Sequence, residues 1–377
     1  LHGRLDAREQ DAALASTPGR KVVLATNIAE TSLTVDGVDA VVDTGWHKVL
    51  RYDAARGIDR LERERIPLDS AEQRAGRAGR TGPGRALRLW DPRDRLRPHR
   101  EPEIQRVDLT GTVLEVLAWG GDPAHFAWFE APAPPRVEAA LELLAALGAV
   151  QGRHLTDLGR SLRRLPLHPR IGRVLFAGGG SSRVAAACAV LAETRPAPGD
   201  APVATDSDVL AAVDGLARGP WTLRQSAREL ERLARHLGGG GPAAEDDVGL
   251  RRALLAGFPD RVARRREAGS SRLILSSGAG AVLGRESGVR DGDLLLALDV
   301  VGRPDAEALV RSASRVERDW LQATHSDVVH RFDEEKGVVR ATERAWYRGL
   351  ILEERAVAPD PVAAAATLAE ACLLYTS

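Results

Sequence analysis

The chain has 377 residues, a length that favours two or three domains. Its 53 basic and 53 acidic residues give a formal net charge of zero, which excludes a protein that coats nucleic acid by overall positive charge. Hydrophobic residues make up 44% and charged residues 28% of the chain, proportions typical of a folded globular protein. The sequence shows neither an apolar run of roughly 18 residues, as a membrane-spanning helix needs, nor the apolar core of a signal peptide.

Three features of the composition bear on the origin of the chain. The two cysteines, Cys188 and Cys372, are too few for a disulfide framework, so we expect a reducing compartment, the cytoplasm. The sequence contains no methionine, which predicts an internal fragment or a processed start. Arginine carries nearly all the positive charge. A GC-rich genome explains this preference, although arginine also suits forked recognition of phosphate groups.

Residues 1–97 predict a parallel α/β domain. Short apolar, β-branched runs predict strands at 21–26, 39–43 and 86–90, and helical stretches lie between them, one of them across 71–78. Strands that alternate with helices indicate a parallel sheet. In such a sheet, ligands bind beyond the carboxyl ends of the strands.

The rest of the chain predicts three further regions. Asp108 is predicted to cap a helix that ends at 120–121, and a second helix over 137–147 ends at Gly148; with a short β piece, these elements are typical of a winged helix. Alanine- and leucine-rich segments predict a helical bundle, and later apolar runs predict strands in a mixed α/β C-terminal region. The expected domains are therefore 1–97, 98–170, 171–262 and 263–377.

The strongest chemical signal is the octet QRAGRAGR at residues 73–80. Arg77 and Arg80 are three residues apart and would share one face of a helix. The small residues between them would let a phosphate chain approach, and two guanidinium groups could stabilise the charge that develops in phosphoryl transfer. The alternative is a solvated, arginine-rich helix.

A second signal, ATNIAETSLTVDG, occupies residues 25–37 and follows the first predicted strand. Its hydroxyls and amide suit phosphate oxygens, and its carboxylates suit ribose hydroxyls or a water molecule. Taken alone, the string could equally be a capped helix start.

Together these two strings resemble motifs V and VI of the DEAH-box helicases of superfamily 2. Residues 1–10 resemble the stretch after motif IV, and VVDTG at 41–45 also fits the family. Residues 109–167 look like its winged helix, and LPLHPR at 165–170 like the exit into its ratchet-type bundle. The tail from residue 272 is similar to the bacterial HrpB branch.

The resemblance implies roles for particular residues. Those expected to reach the γ-phosphate of ATP, the arginines as fingers, are Gln73, Arg77 and Arg80. Ser32 is expected to sense the γ-phosphate, and Asp36 is expected to lie near the ribose. Those expected to contact the nucleic-acid backbone are Thr26, Asn27 and Thr34. The role of Arg74 stays open, and a structural one is possible.

Other parts of the helicase pattern are absent from the sequence. No lysine lies in a Gly-Lys-Ser/Thr loop, and no Asp-Glu-x-His string occurs. We therefore expect the second RecA-like lobe and C-terminal domains of a larger ATP-dependent helicase, inactive alone, with the ligands of Mg²⁺ upstream. Its expected partner is single-stranded nucleic acid, RNA rather than DNA. The alternative is a non-enzymatic winged-helix binding module with a degenerate RecA-like scaffold.

Four weaker patterns occur elsewhere in the sequence. The glycine-rich segment 278–284 does not match a dinucleotide-binding loop, and His325 and His330 lack the spacing and neighbours of a zinc site. Four arginines at 261–266 suit either phosphate groups or a solvated helix face. Between residues 73 and 106, ten arginines against four acidic residues could follow a single strand by its phosphates, or pair with acids.

Overall fold

The computed structural model describes the chain except residues 3, 4, 6, 16, 32–34, 36, 81, 194–202, 239–243, 304–305 and 376–377. The described chain forms two compact units. Unit 1 comprises Leu1–Tyr52 and Arg60–Val107, and unit 2 comprises Asp53–Asp59 and Asp108–Ser377. The finer division into four domains stays a prediction.

Unit 1 is an α/β structure. Its elements are α1 (Ala7–Leu14), α2 (Ile28–Thr31), β1 (Ala40–Asp43), β2 (Trp46–Asp53), β3 (Ile58–Arg65), α3 (Leu68–Ala75) and β4 (Arg85–Arg88), with a 3₁₀ turn at Glu103–Gln105. β1 and β4 pair in parallel, from Ala40 opposite Arg85 to Asp43 opposite Arg88, and α3 packs against β1. The predicted α/β fold class with a parallel sheet is thus confirmed.

The strand predicted at residues 21–26 is wrong. The segment has no strand assignment, and the side chains of Val22 and Leu24 are 80% and 84% exposed. Its backbone meets Leu1: the Thr26 N–H donates to the Leu1 carbonyl at 2.9 Å, and the N-terminal ammonium donates to the Leu24 carbonyl. An apolar run becomes a buried strand only where neighbouring strands cover its side chains, and that packing is not visible in the run itself.

The helix predicted at 71–78 ends earlier than its pattern indicates. α3 stops at Ala75, and Gly76 caps it. The chain continues in short turns, in which the Arg77 N–H donates to the Arg74 carbonyl and the Ala78 N–H to the Ala75 carbonyl, both at 3.1 Å. Glycine costs a helix about 1 kcal/mol relative to alanine, and glycines occupy positions 76 and 79. Arg77 and Arg80 therefore do not share a helical face, contrary to the prediction.

The first part of unit 2 contains α4 (Thr110–Ala118), α5 (Pro134–Ala146), β5 (Val150–Gln151), β6 (His154–Leu155) and α6 (Asp157–Arg163). The predicted cap, Asp108, lies one residue before the N-cap position, which Leu109 occupies without a side-chain cap. The Asp108 carboxylate accepts a hydrogen bond from the Thr110 N–H at 2.7 Å, at the first residue of α4. Gly120 and Gly148 adopt φ values of +79° and +73° where the two predicted helices end. These helices are confirmed, whereas their assembly as a winged helix remains a proposal.

A helical region follows. It contains α7 (Pro169–Ala177), α8 (Ser182–Glu193), α9 (Asp208–Gly215), α10 (Trp221–His236) and α11 (Asp247–Gly257), with a 3₁₀ turn at Leu216–Arg218. The prediction of helices over 171–262 is confirmed for this stretch as far as Gly257. Within the described residues, none of the helices combines the length and apolar character needed to cross a membrane.

A five-stranded barrel comes next, and the sequence did not predict it. Its strands are β7 (Val262–Arg265), β8 (Arg272–Leu275), β9 (Gly280–Leu283), β10 (Leu294–Arg303) and β11 (Ala306–Arg315). They lie in the order β11-β9-β8-β7-β10, and pairing of β10 with β11 closes the ring. β9 and β11 are parallel, and the other pairs are antiparallel. This is the connectivity of a Greek-key barrel of the oligonucleotide-binding (OB) type.

The barrel core is apolar and closely packed. Leu273, Leu295 and Val310 are fully buried in it, and Ile58 joins them from the segment Asp53–Asp59 of the same unit. The segment 278–284, considered above as a dinucleotide loop, contributes β9 to this barrel rather than a turn that opens a helix.

The chain ends in a second antiparallel sheet. β12 (His325–Asp333), β13 (Val338–Tyr347) and β14 (Leu350–Val357) follow a 3₁₀ turn at Arg318–Trp320, and α12 (Pro361–Tyr375) packs against β12 and β13. His325 stacks on Trp346 with 5.8 Å between ring centroids, and His330 Nε2 accepts from the Asp360 N–H at 3.0 Å. The two histidines thus have separate structural partners.

Candidate functional site

The two motif-like segments of unit 1 meet through Arg77. Its Nε donates to the Glu30 carbonyl oxygen at 3.0 Å, and its Nη2 donates to the same oxygen. Glu30 lies in α2, in the segment predicted to contact nucleic acid, and Arg77 lies in the segment predicted to contact ATP. The structure therefore joins by direct hydrogen bonds two segments that are 47 positions apart in the sequence.

Arg74 has a structural role, which the sequence left open. Its Nη1 donates to Asp43 Oδ1 at 2.9 Å and to the Trp46 carbonyl at 3.3 Å, and its Nη2 lies 3.5 Å from Glu30 Oε2. Asp43 also accepts from the Gly45 N–H at 2.9 Å, in the turn between β1 and β2. Arg74 thus ties α3 to the end of β1 and to α2.

A buried carboxylate is the centre of this arrangement. Glu30 is only 3% exposed, and a second arginine, Arg100, donates from Nη2 to Glu30 Oε1 at 2.6 Å. The same Nη2 lies 2.9 Å from the hydroxyl of Ser70 in α3. A charged carboxylate taken out of water must be paired and hydrogen-bonded, and here Arg74 and Arg100 meet that need together. Sequence analysis assigned no role to Arg100, and for the carboxylates of residues 25–37, Glu30 among them, it considered ribose hydroxyls or a water molecule rather than arginine partners.

The other predicted site residues of unit 1 fall into two groups. Gln73 and Arg80 are exposed, and Arg80 makes no ion pair with any described residue. Thr26 and Asn27 are also exposed, in the turn that opens α2. The remaining three, for which the sequence predicted contacts to ATP or nucleic acid, lie outside the described residues: Ser32, Thr34 and Asp36.

Asn27 lines an open pocket of about 210 Å³. Among the side chains around it are Arg51 and Arg97, each paired with Glu64, at 2.5 Å and 2.8 Å respectively. The Arg51 hydrogen bond holds the pKa of Glu64 below its ordinary value, while burial, and after it the charge of Arg74, lowers the pKa of His47. Of the basic side chains that line the pocket, Arg51, Arg97, Arg100 and Arg106 each pair with an acid.

The same pairing applies to much of the arginine excess between residues 73 and 106. The arginines there that form ion pairs are Arg74, Arg88, Arg93, Arg97, Arg100 and Arg106. Those that make no ion pair with any described residue are Arg80, Arg85 and Arg95. Phosphate contacts from this stretch are therefore expected from a small subset of its arginines.

The arginine cluster at 261–266 lies on a strand, so the prediction of a solvated helix face is wrong. Arg265 is 5% exposed, and it donates to the carbonyls of Gly292 at 2.8 Å and Ser270 at 2.5 Å. Arg264 pairs with Asp293 at 3.2 Å. These side chains support the barrel.

Residues 1–82, which lie largely in unit 1, match the family model of the helicase conserved C-terminal domain. Over most of its length, the chain is similar to the ATP-dependent RNA helicase HrpB of Escherichia coli. The two sequences are 35% identical over 358 residues, which are 92% of this chain and 42% of HrpB. The ATP-dependent RNA helicase HrpA of the same organism is 41% identical over 185 residues, 47% of this chain and 14% of HrpA.

Solved structures agree with the sequence comparison. The crystal structure of the E. coli DExH-box NTPase HrpB superposes with a TM-score of 0.79 at 31% identity and covers 98% of this chain and 45% of its own. A second crystal structure, of the E. coli DEAH/RHA helicase HrpB, superposes with a TM-score of 0.81. The match includes 96% of this chain and 46% of the HrpB chain. The predicted relationship to the DEAH-box helicases, and to HrpB among them, is confirmed. The chain spans less than half the length of HrpB.

Proposed function

We propose that this chain is the C-terminal part of an ATP-dependent RNA helicase, in which ATP hydrolysis drives movement along a single strand. The observation that carries the proposal is the hydrogen bonding of Arg77 to the Glu30 carbonyl. It connects a segment with the composition of a triphosphate clamp to a segment suited to phosphate oxygens of a nucleic-acid backbone. A change at one segment is thereby transmitted to the other.

The exposed residues of unit 1 fit a triphosphate. Arg80 and Gln73 are open to solvent, and Arg80 is a cation without an acidic partner among the described residues. With Arg77 they would donate hydrogen bonds to γ-phosphate oxygens and stabilise the charge that accumulates during phosphoryl transfer. In the same proposal Ser32 and Asp36 face the γ-phosphate and the ribose.

The described residues contain no cluster of three or more His, Cys, Asp or Glu suited to a metal ion. We assign the phosphate loop and the Mg²⁺ ligands to a further lobe outside these 377 residues, which fits the 42% of HrpB that the chain covers. Cytoplasmic location remains part of the proposal.

RNA contacts are proposed for Thr26, Asn27 and Thr34. Small hydroxyl and amide groups bind backbone phosphates without reading the base sequence. The five-stranded barrel of unit 2 adds a surface of a type that binds oligonucleotides in other proteins. RNA rather than DNA is proposed because the similar helicases are described as RNA helicases.

The complete protein tests this function. Its ATPase activity should rise on addition of single-stranded oligo-adenylate RNA, and its reading frame should contain a Gly-Lys-Ser/Thr loop and an Asp-Glu-x-His string upstream of residue 1. RNA binding without any ATP hydrolysis, and without those strings, would instead establish the non-enzymatic winged-helix module.

A further inference from the structure

Arg100 lies outside both motif-like segments, yet it contacts the residue that joins them. Its side chain, 46% exposed, reaches the buried Glu30 carboxylate at 2.6 Å and the Ser70 hydroxyl at 2.9 Å. The first contact is to α2 and the second to α3. One guanidinium group therefore bridges α2, which directly follows Thr26 and Asn27, and α3, which contains Gln73.

The backbone around Arg100 is itself fixed to the start of α3. The Leu68 N–H donates to the Arg97 carbonyl at 2.8 Å, and the Asp69 N–H to the Pro98 carbonyl at 3.2 Å. The Arg100 N–H donates in return to Asp69 Oδ2 at 3.2 Å. The segment 97–100 is thus fixed to the start of α3. The contact of Arg100 with Glu30 connects this segment to α2.

Glu30 connects Arg100 to Arg77. Its carboxylate is held by Arg100 and Arg74, while its carbonyl oxygen accepts from Arg77. The carboxylate and the carbonyl belong to one residue of α2, so Arg74, Arg77 and Arg100 all hold the same helical turn. The predicted arginine finger and the predicted RNA segment then share one anchor.

We propose that Arg100 and Glu30 are positioning residues that couple RNA binding to ATP turnover: Arg100 holds Glu30 so that the segment 26–31 and Arg77 move as one body. The inference rests on the proposed helicase function. It predicts that removal of the Arg100 side chain lowers the coupling between the two activities more than either activity alone. Because this side chain is half exposed and Arg74 still pairs with the Glu30 carboxylate, its removal should leave the domain folded.

The complete protein carrying Arg100→Ala tests this role. Stimulation of ATP hydrolysis by oligo-adenylate RNA should fall about tenfold, within the usual range of coupling between two sites. Basal hydrolysis and the melting temperature should stay close to those of wild type. Arg100→Lys, which keeps the charge but loses the fork, should restore part of the stimulation. The matched control is Arg93→Ala, an exposed arginine of the same segment that pairs with Asp91, and it should behave as wild type.

A second variant separates coupling from folding. Glu30→Gln keeps the size of the side chain and removes its charge, and should also reduce stimulation. The double variant with Arg100→Ala should lose no more than the stronger single variant, because both act through one contact.

The outcomes distinguish the two proposals. Absence of RNA stimulation in the wild-type protein would overturn the helicase function and this inference with it. Stimulation in wild type that persists unchanged in Arg100→Ala would overturn the inference alone. A parallel fall of basal activity, stimulation and melting temperature would show a merely structural role and overturn it as well.

Discussion

At the scale of single residues, the arginines of this chain serve mainly as forked donors to the protein itself. Arg77 donates to the Glu30 carbonyl, Arg261 to the Gly57 carbonyl at 2.8 Å, and Arg265 to several carbonyls of the barrel. The planar guanidinium group has five donors, so it can satisfy carbonyl oxygens that a lysine would leave unpaired. The preference for arginine therefore has a structural use, whatever its origin in the genome.

Arg77 and Arg80 carry the first residue-scale prediction. In the complete protein, Arg77→Ala and Arg80→Ala should each lower ATP turnover about a thousandfold, because an arginine finger stabilises charge in the transition state. Arg77→Ala should also change RNA-stimulated turnover, since Arg77 donates to the Glu30 carbonyl. Steady-state phosphate release measures both effects.

Arg95→Ala provides the comparison for these variants, because Arg95 is exposed and makes no ion pair with the described residues. It should retain turnover close to that of wild type. Turnover within a few-fold of wild type in Arg77→Ala and Arg80→Ala would show that neither arginine faces the reacting phosphate.

At the scale of elements, an ion pair joins α7 to the chain just before β7. Arg170 Nη1 and Nη2 donate to Asp260 Oδ1 and Oδ2 at 2.5 and 2.7 Å, and the guanidinium lies 5.5 Å from the ring centroid of Phe258. Arg170 is only 3% exposed. A bidentate pair of this kind fixes orientation as well as distance. It therefore sets where the helical region ends and the barrel begins.

Breaking this pair should destabilise unit 2. Asp260→Asn leaves the buried Arg170 without its counter-charge, which should lower the free energy of unfolding by about 3 kcal/mol. Urea unfolding followed by circular dichroism measures the change. Asp214→Asn, which removes one of the two acidic partners of Arg183 and leaves Asp247 in place, should unfold close to wild type. An equal effect of the two substitutions would contradict the structural role of the Arg170–Asp260 pair.

The same pair predicts a dependence on pH. Burial raises the pKa of Asp260, but the hydrogen bonds and the charge of Arg170 lower it by more than burial raises it. The folded-state pKa therefore lies below the ordinary value of 3.8. A depressed pKa contributes stability that is fully present above the unfolded-state pKa and is lost as pH falls through the folded-state value. The stability difference between wild type and Asp260→Asn should therefore be constant near neutral pH and shrink below about pH 4. Urea unfolding over a pH series tests this, and a difference that grows on acidification would contradict it.

At the scale of the whole molecule, the zero net charge restricts nucleic-acid binding to local groups. Of the ten arginines between residues 73 and 106, six form ion pairs, and those without an ionic partner among the described residues are Arg80, Arg85 and Arg95. The 377-residue chain should bind single-stranded RNA weakly. Three phosphate contacts predict a slope of about −2 for log K against log salt. Fluorescence anisotropy with labelled oligo-adenylate across a salt series measures it.

The same preparation should show no ATP hydrolysis above background. The sequence has no Gly-Lys-Ser/Thr loop, and arginine fingers cannot replace the groups that hold and polarise the triphosphate. Robust phosphate release by the purified chain would show an enzyme of another kind.

Local patterns in the sequence determined the family and the helices of this protein. The strings at 25–37 and 73–80 identify the DEAH-box family because each is a contiguous set of chemical groups. The periodicity through Leu144 and the glycine at 148 determined α5 and its end, since a helix is built from contacts three and four residues apart. Roles for Ser32, Thr34 and Asp36 remain predictions from these strings.

Contacts between distant residues were decided only by the tertiary structure. The barrel closes through pairing of β10 and β11 and of β9 and β11, and the exposed run at 21–26 failed to become a strand for lack of such partners. Glu30 gained its importance from Arg74 and Arg100, which lie 44 and 70 positions away. Sequence spacing determines which neighbours share a helix, but the partner of a strand edge or of a buried charge depends on how the whole chain packs.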